Sequence, residues 1–251
     1  MSSDEAFVYP RHLKTPTLSH QDACEFAANK PCIVVVPEVF KGIPVESDGS
    51  VYVRFLLNKP GFMGGQTEFP EDHIILVYEK YIQNHYKGRV DGQFWVPPIE
   101  PDLFYDMGLE RTKTCVYAGK YRGPNNYVAG KYPKETVFID TAYPNRRSIL
   151  AKLLNESKTF YCFDKFSALP AEAALCGCPT IYIGDDDSLS RDEIEKLSVF
   201  GGAGVAFDRS QEQMDQALET LPLVHIIYNK KLIEFEEKMT WFIEGTQNGK
   251  W

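Results

Sequence analysis

Basic charge is in short supply in this chain. Lys and Arg total 27 against 35 Asp and Glu, a formal net charge of -8. Duplex nucleic acid is gripped through its phosphates by a basic surface, so this balance argues against a nucleic-acid partner. Histidine is scarce: the five residues, at 12, 20, 73, 85 and 225, form no His-x-x-x-His pair or other metal spacing. The six cysteines include no Cys-x-x-Cys pair, and Cys176 and Cys178 stand too close for a zinc knuckle. Several of them sit inside apolar runs and read as buried thiols, the state expected in a reducing compartment. No uninterrupted apolar run of about 18 residues occurs, so no helical membrane span is expected. Met1-Ser2-Ser3-Asp4-Glu5 lacks the basic start and apolar run of a secretion signal. These absences set the expectation of a cytoplasmic location. Peripheral attachment at the inner membrane face stays open, although no basic amphipathic helix calls for it.

What is present suits a folded core. The 251 residues are 43% hydrophobic and 13% aromatic, enough for two small domains or one large one. Short apolar runs bounded by turn residues predict buried strands over 32–36, 74–78, 114–118, 136–140, 159–163, 180–184 and 204–207. The segment 51–57 fits either strand or helix, and 93–98 is extended because its prolines restrain their predecessors. Helices are predicted over 20–28, 146–156 with Asn145 as cap, 168–176, 191–197 and 211–220. A long amphipathic helix follows over 223–243, ended by the glycine-containing tail from Glu244. Strands spaced by helices define an α/β chain built on parallel sheets. The expected division is a small domain over 1–100, a regular Rossmann-like domain over 101–222, and a C-terminal helix and tail over 223–251.

One stretch carries most of the functional information. Tyr161 to Thr180 reads as a strand end, a tight loop, a short helix with one acid, and a Gly-x-Pro turn into a new strand. That order suits a phosphorylated ligand at the edge of a parallel sheet. The residues also resemble the nucleotide-sugar signature of retaining glycosyltransferases with the two-domain GT-B fold. Asp164 stands at the signature's first acid and Phe166-Ser167 at its Phe-Gly pair. Glu172 stands at its second acid, with Ala173, Gly177 and Pro179 at the positions that follow. Two positions depart: Asp164 replaces a Glu, and Ser167 replaces a Gly. Val36 to Pro44 and Val53 to Gly61 are similar to stretches of bacterial surface-polysaccharide glycosyltransferases. That resemblance implies a GT-B-like pair of Rossmann-like domains, the first truncated, with the C-terminal helix crossing back. A shortened first domain implies room for a protein partner or a second copy of the chain to complete it.

The residues take expected roles on that footing. Glu172 is either an exposed acid placed well at a helix N-terminus or, as the resemblance implies, the acceptor for two ribose hydroxyls. Ser167, Ala168 and Leu169 offer backbone N–H groups to a diphosphate, or Ser167 is an ordinary cap. Asp164 faces the donor sugar or is satisfied by its own loop. Gly119, Lys120 and Arg122 follow the first strand of the second domain, where the resemblance implies a basic residue that stabilises the leaving diphosphate without a metal. Lys120 comes before Arg122 for that role, and Arg146-Arg147 is a weaker candidate for phosphate contact. Asp140 and Tyr143 would touch the base or ribose. Glu38, with Gly64 and Gly65 in the loop 61–65, would line the acceptor side, or Glu38 simply ends its strand in solvent. The run Asp185 to Asp187 reads as a solvated loop or helix cap rather than a metal site.

The expected activity is transfer of a sugar from a nucleoside diphosphate sugar to a glycan or other hydroxyl acceptor. No cofactor is called for, and retention at the anomeric carbon is implied by the resemblance alone. The alternative is a non-catalytic nucleotide- or glycan-binding module of the same fold, or a subunit of a larger assembly.

Overall fold

The computed structural model describes residues 19–119, 132–140, 142–164, 167–183, 192, 195 and 200–247. They form two compact units, one of residues up to 95 joined by the chain from Lys238, the other of Val96–Glu237.

The first unit holds a four-stranded parallel sheet in the order β1 (Ile33–Pro37), β2 (Val51–Leu56), β3 (Ile74–Val77), β4 (Gly92–Gln93). The ambiguous segment 51–57 is thus a strand. It lies between two parallel neighbours, and their ladders outweigh any helical preference. The last bond on this side runs from Phe94 N–H to Val77 O at 2.8 Å, and further on Pro97 and Pro98 have no N–H to donate. Ser19 caps α1 (His20–Asn29) in a reciprocal box with Asp22. A short helix, α2 (Lys80–His85), was not anticipated, since six residues are too few to show a period. It buries Ile82 against Leu56, Ile75 and Val77.

The second unit is a five-stranded sheet of β5 (Lys113–Tyr117), β6 (Val137–Ile139), β7 (Ser157–Cys162), β8 (Thr180–Tyr182) and β9 (Val205–Ala206). All pairs are parallel, in the order β6-β5-β7-β8-β9. Helix α3 (Arg147–Asn155) starts without a side-chain cap, and Arg146 rather than Asn145 is its N-cap residue. Its last residue, Asn155, is fully buried. The Asn155 Oδ1 accepts from Met107 N–H at 2.6 Å and its Nδ2 donates to Tyr105 O at 2.9 Å, which staples the chain leading into β5. Helix α4 (Leu169–Leu175) packs on α3 and β7. Helix α5 (Gln211–Thr220), capped by Ser210, packs Ala217 and Met214 against Ile181 and Ala206. The predicted helix over 191–197 lies outside the described residues apart from Asp192 and Glu195, and the Asp185–Asp187 run lies outside them altogether.

The last helix, α6 (Leu223–Gln247), runs past the point where Gly245 was expected to end it. A mid-helix glycine costs about 1 kcal/mol, which packing readily offsets. Tyr228 is buried in the second unit and donates to Ile99 O at 2.5 Å. In the first unit Phe242 meets the Phe94 ring at 5.5 Å, and Trp241 lies where a side chain at residue 92 would stand. Among the described residues no helix is long and apolar enough to cross a membrane.

All six cysteines are free thiols, and Cys115, Cys162, Cys176 and Cys178 are buried in the second unit. Burial pushes Cys115 up to about 11 and Cys176 up to about 12, and moves Cys162 and Cys178 upward as well. Only thiolate reacts, so the native protein at about pH 8 should expose just Cys24 and Cys32 to Ellman's reagent. The other four should react on denaturation; fast native reaction of more than two thiols would contradict this burial.

Candidate functional site

The strand order creates a topological switch point in the second unit. From β5 the chain steps to β6 on one side, then returns to β7 on the other. The loops leaving β5 and β7 therefore diverge, and such a switch point at the carboxyl ends of parallel strands is where α/β sheets bind ligands. Gly119 and Asp164 sit there. Phe163 N–H donates to Tyr117 O at 2.9 Å, which aligns the two strand ends. A Cβ at position 119 would stand 3.4 Å from Asp164 Cβ, an ordinary contact, so it is the left-handed φ of +99° rather than lack of space that favours glycine where the two loops meet. The structure thus brings together two residues singled out separately in the sequence.

Beyond Asp164 the chain turns into α4. Ser167 N–H donates to Asp164 O at 3.4 Å, and Leu169 N–H donates to Ser167 Oγ at 3.2 Å. Two of the three amides expected to face a diphosphate are therefore used within the turn, and Ser167 closes a local side-chain turn rather than serving as the helix N-cap. Ala168, the N-cap residue, is already in the helical region. Lys120, Arg122 and Phe166 lie outside the described residues.

Glu172 occupies the first turn of α4. It is not the exposed acid of the simpler reading, since only 2% of the residue is accessible. Its Oε1 accepts from Arg147 Nη2 at 2.8 Å, and the Arg147 guanidinium lies over the Phe104 ring at 4.5 Å. Its Oε2 is buried and has no hydrogen-bond partner. Burial raises the Glu172 carboxyl above its ordinary value, and the charge and hydrogen bond of Arg147 pull it back down. A buried carboxylate oxygen without a donor is costly, so it marks a place where a ligand hydroxyl would be stabilising.

Arg147 was only a weak candidate in the sequence. No local spacing connects it to Glu172; the link comes from two helices whose first turns meet at one sheet edge. Arg147→Ala should leave both Glu172 oxygens without a partner. The expected destabilisation is about 1–2 kcal/mol, below that of a fully buried pair because the Arg147 side chain is 41% exposed. Urea unfolding measures it, and an unchanged midpoint would deny the pair any part in stability.

Asp140, at the end of β6, uses Oδ1 to accept from Ala142 N–H at 2.7 Å and Tyr143 N–H at 2.8 Å. Its backbone N–H donates to Tyr143 O at 2.8 Å. This carboxylate shapes its own turn and leaves Tyr143 exposed.

The acceptor-side candidates lie in the first unit. Glu38 neither ends its strand in solvent nor presents an open carboxylate. It is 3% exposed, and its Oε2 accepts from Leu57 N–H at 2.9 Å, tying the ends of β1 and β2 together. Burial raises its carboxyl, and the backbone donors offset this in part. Gly65 has a packing reason to be glycine: a Cβ there would lie 2.7 Å from Val39 Cα and would overlap the Glu38 carbonyl oxygen. Gly64 has φ +80° and open space around it. Among the described residues no group of three or more His, Cys, Asp or Glu side chains could hold a metal ion.

No known protein family, curated protein or solved structure matches this chain. The fold and the edge described above define its class: an α/β protein with two parallel sheets and a ligand-type switch point in the second.

Proposed function

We propose that this chain transfers a sugar from a nucleoside diphosphate sugar to a hydroxyl acceptor, in the manner of GT-B glycosyltransferases. The observation that carries the reading is the buried Glu172, with one oxygen held by Arg147 and the other awaiting a donor. Ribose has two adjacent hydroxyls, and one of them fits that need. Arg147, partly in water, is free to turn from Glu172 toward the neighbouring phosphates as the nucleotide enters.

In this reading the donor's diphosphate lies along the turn at Ser167, Ala168 and Leu169, and its sugar reaches Asp164 beside Gly119. Lys120 and Arg122 follow Gly119 in the chain and offset charge on the departing diphosphate. In the transfer, the bond from the anomeric carbon to the diphosphate oxygen breaks. A bond to the acceptor oxygen forms, and the acceptor's proton passes to the diphosphate or to water. Orientation and electrostatic stabilisation of the leaving group supply the rate, with Lys120 and Asp164 as the groups at the reacting atoms. The acceptor is a glycan or another hydroxyl compound, and a partner chain or second copy would complete its side of the site.

The test is calorimetric titration with uridine, guanosine, adenosine and thymidine diphosphates, followed by product analysis with the matching nucleotide sugars. Micromolar binding of one nucleotide with sugar transfer or donor hydrolysis is the expected result. Binding without turnover in the presence of cell glycans would make the chain a binding module. No binding of any nucleotide would sink the reading.

A further inference from the structure

The connection between β1 and β2 contains no helix in residues 38–50. Parallel neighbours are usually joined by a helical crossover, which seals one sheet face with apolar side chains. Here that face carries Tyr52 and Arg54, two residues apart on β2 and so on the same side. Over it lies a cavity of about 510 Å³, bordered by Tyr52, Arg54, Gln66, His73 and the loop from Gly42 to Ser50.

Arg54 is 1% exposed. Its Nη2 donates to Gly42 O at 2.7 Å and Gln66 Oε1 at 3.1 Å, its Nη1 to Phe40 O at 3.4 Å, and its Nε to His73 Nδ1 at 3.4 Å. The guanidinium also lies over the Phe69 ring, 5.3 Å from its centroid. Every one of these partners is neutral, and among the described residues no carboxylate pairs with this guanidinium. A buried cation without a counter-ion is costly, and an arginine cannot escape the cost by losing its proton. Burial accordingly pulls Arg54 below its ordinary value, and it lowers His73 as well. The hydrogen bonds use four of the five guanidinium N–H groups and leave one on Nη1. Accepting at Nδ1 leaves the neutral His73 with its proton on Nε2, and His73 too borders the cavity.

We propose that this cavity binds a small polar molecule through one oxyanion, a carboxylate or a phosphate, which supplies the missing counter-charge of Arg54. The exposed Glu46, Asp48 and Asp72 also border the cavity. They disfavour a ligand with a second negative charge and favour one whose outer end carries hydroxyl or amino groups. The site rests on the first unit alone, so its failure leaves the donor reading untouched.

The experiment is a titration of the whole chain with inorganic phosphate, D-glucuronate and neutral D-glucose, read by calorimetry and by the Arg54 Nε–H resonance. The expected result is saturable binding of phosphate or glucuronate with movement of that resonance, and binding of glucose at least about tenfold weaker. Preference between the two anions names the oxyanion. Glucose binding as well as glucuronate, or an unmoved Arg54 resonance at tens of millimolar of both anions, would overturn the proposal. Arg54→Gln should abolish binding if it folds, and unchanged affinity in the folded variant would also overturn it. Asp72→Asn alters an exposed side chain and should fold regardless. It should tighten anion binding severalfold at low ionic strength, and unaltered affinity there would count against the site.

Discussion

Glu172→Ala should lose nucleotide binding while the protein stays folded. In the proposed site the carboxylate accepts from ribose hydroxyls, and each hydrogen bond to a charged group contributes about 1.5–3 kcal/mol. Every such bond lost weakens binding by roughly 10–100-fold. The fold should survive because Arg147, the one hydrogen-bond partner of this carboxylate among the described residues, is partly in water and can be hydrated when the acid is gone. Glu172→Gln adds a control of the same volume: it retains an oxygen acceptor but not the charge, and should bind between wild type and alanine. The measurement is calorimetric titration with the best nucleoside diphosphate, beside far-UV circular dichroism of each variant. An alanine variant that binds like wild type would place the nucleotide elsewhere.

Gly65→Ala should unfold the first unit. The added methyl would overlap the Glu38 carbonyl oxygen and lie 2.7 Å from Val39 Cα. Both are backbone atoms at the end of β1, where Glu38 already fastens β1 to β2, so neither can yield without opening that junction. Overpacking of this kind costs about 3 kcal/mol or more. Gly64→Ala is the built-in comparison. Its neighbourhood is open, so the left-handed φ of +80° is the only penalty, about 1–2 kcal/mol. Trp95 and Trp241 both belong to the first unit, so their fluorescence during urea unfolding reports on it directly. Equal midpoints for the two variants would mean that the close approach at Gly65 does not limit stability.

The two glycines show how far sequence reasoning reaches. Both stood in a glycine-rich loop read as part of an acceptor wall. The structure gives Gly65 a reason of its own in the path of the backbone, which composition cannot reveal. Glu38 changed in the same way, from a candidate for the acceptor side to a buried clamp on Leu57. In each case the deciding neighbour comes from another connection of the sheet. The unexpected run of α6 through Gly245 has a similar origin, because Trp241 and Phe242 are anchored on Gly92 and Phe94, far away in the chain.

By itself the sequence determined the local matters. Short β-branched runs marked most of the strands, since a strand buried on both faces must be apolar throughout. The turn, acid and Gly-x-Pro between Tyr161 and Thr180 marked the strand, loop and helix that carry Glu172, because these signals act over neighbouring residues. Only the tertiary structure decided which residues meet. The order β6-β5-β7-β8-β9 created the switch point and set Gly119 against Asp164. The meeting of α3 and α4 gave Glu172 its partner, Arg147. The helix-free passage from β1 to β2 left Arg54 buried among neutral acceptors. Such pairings depend on strand order and on burial, and a local pattern of residue types encodes neither.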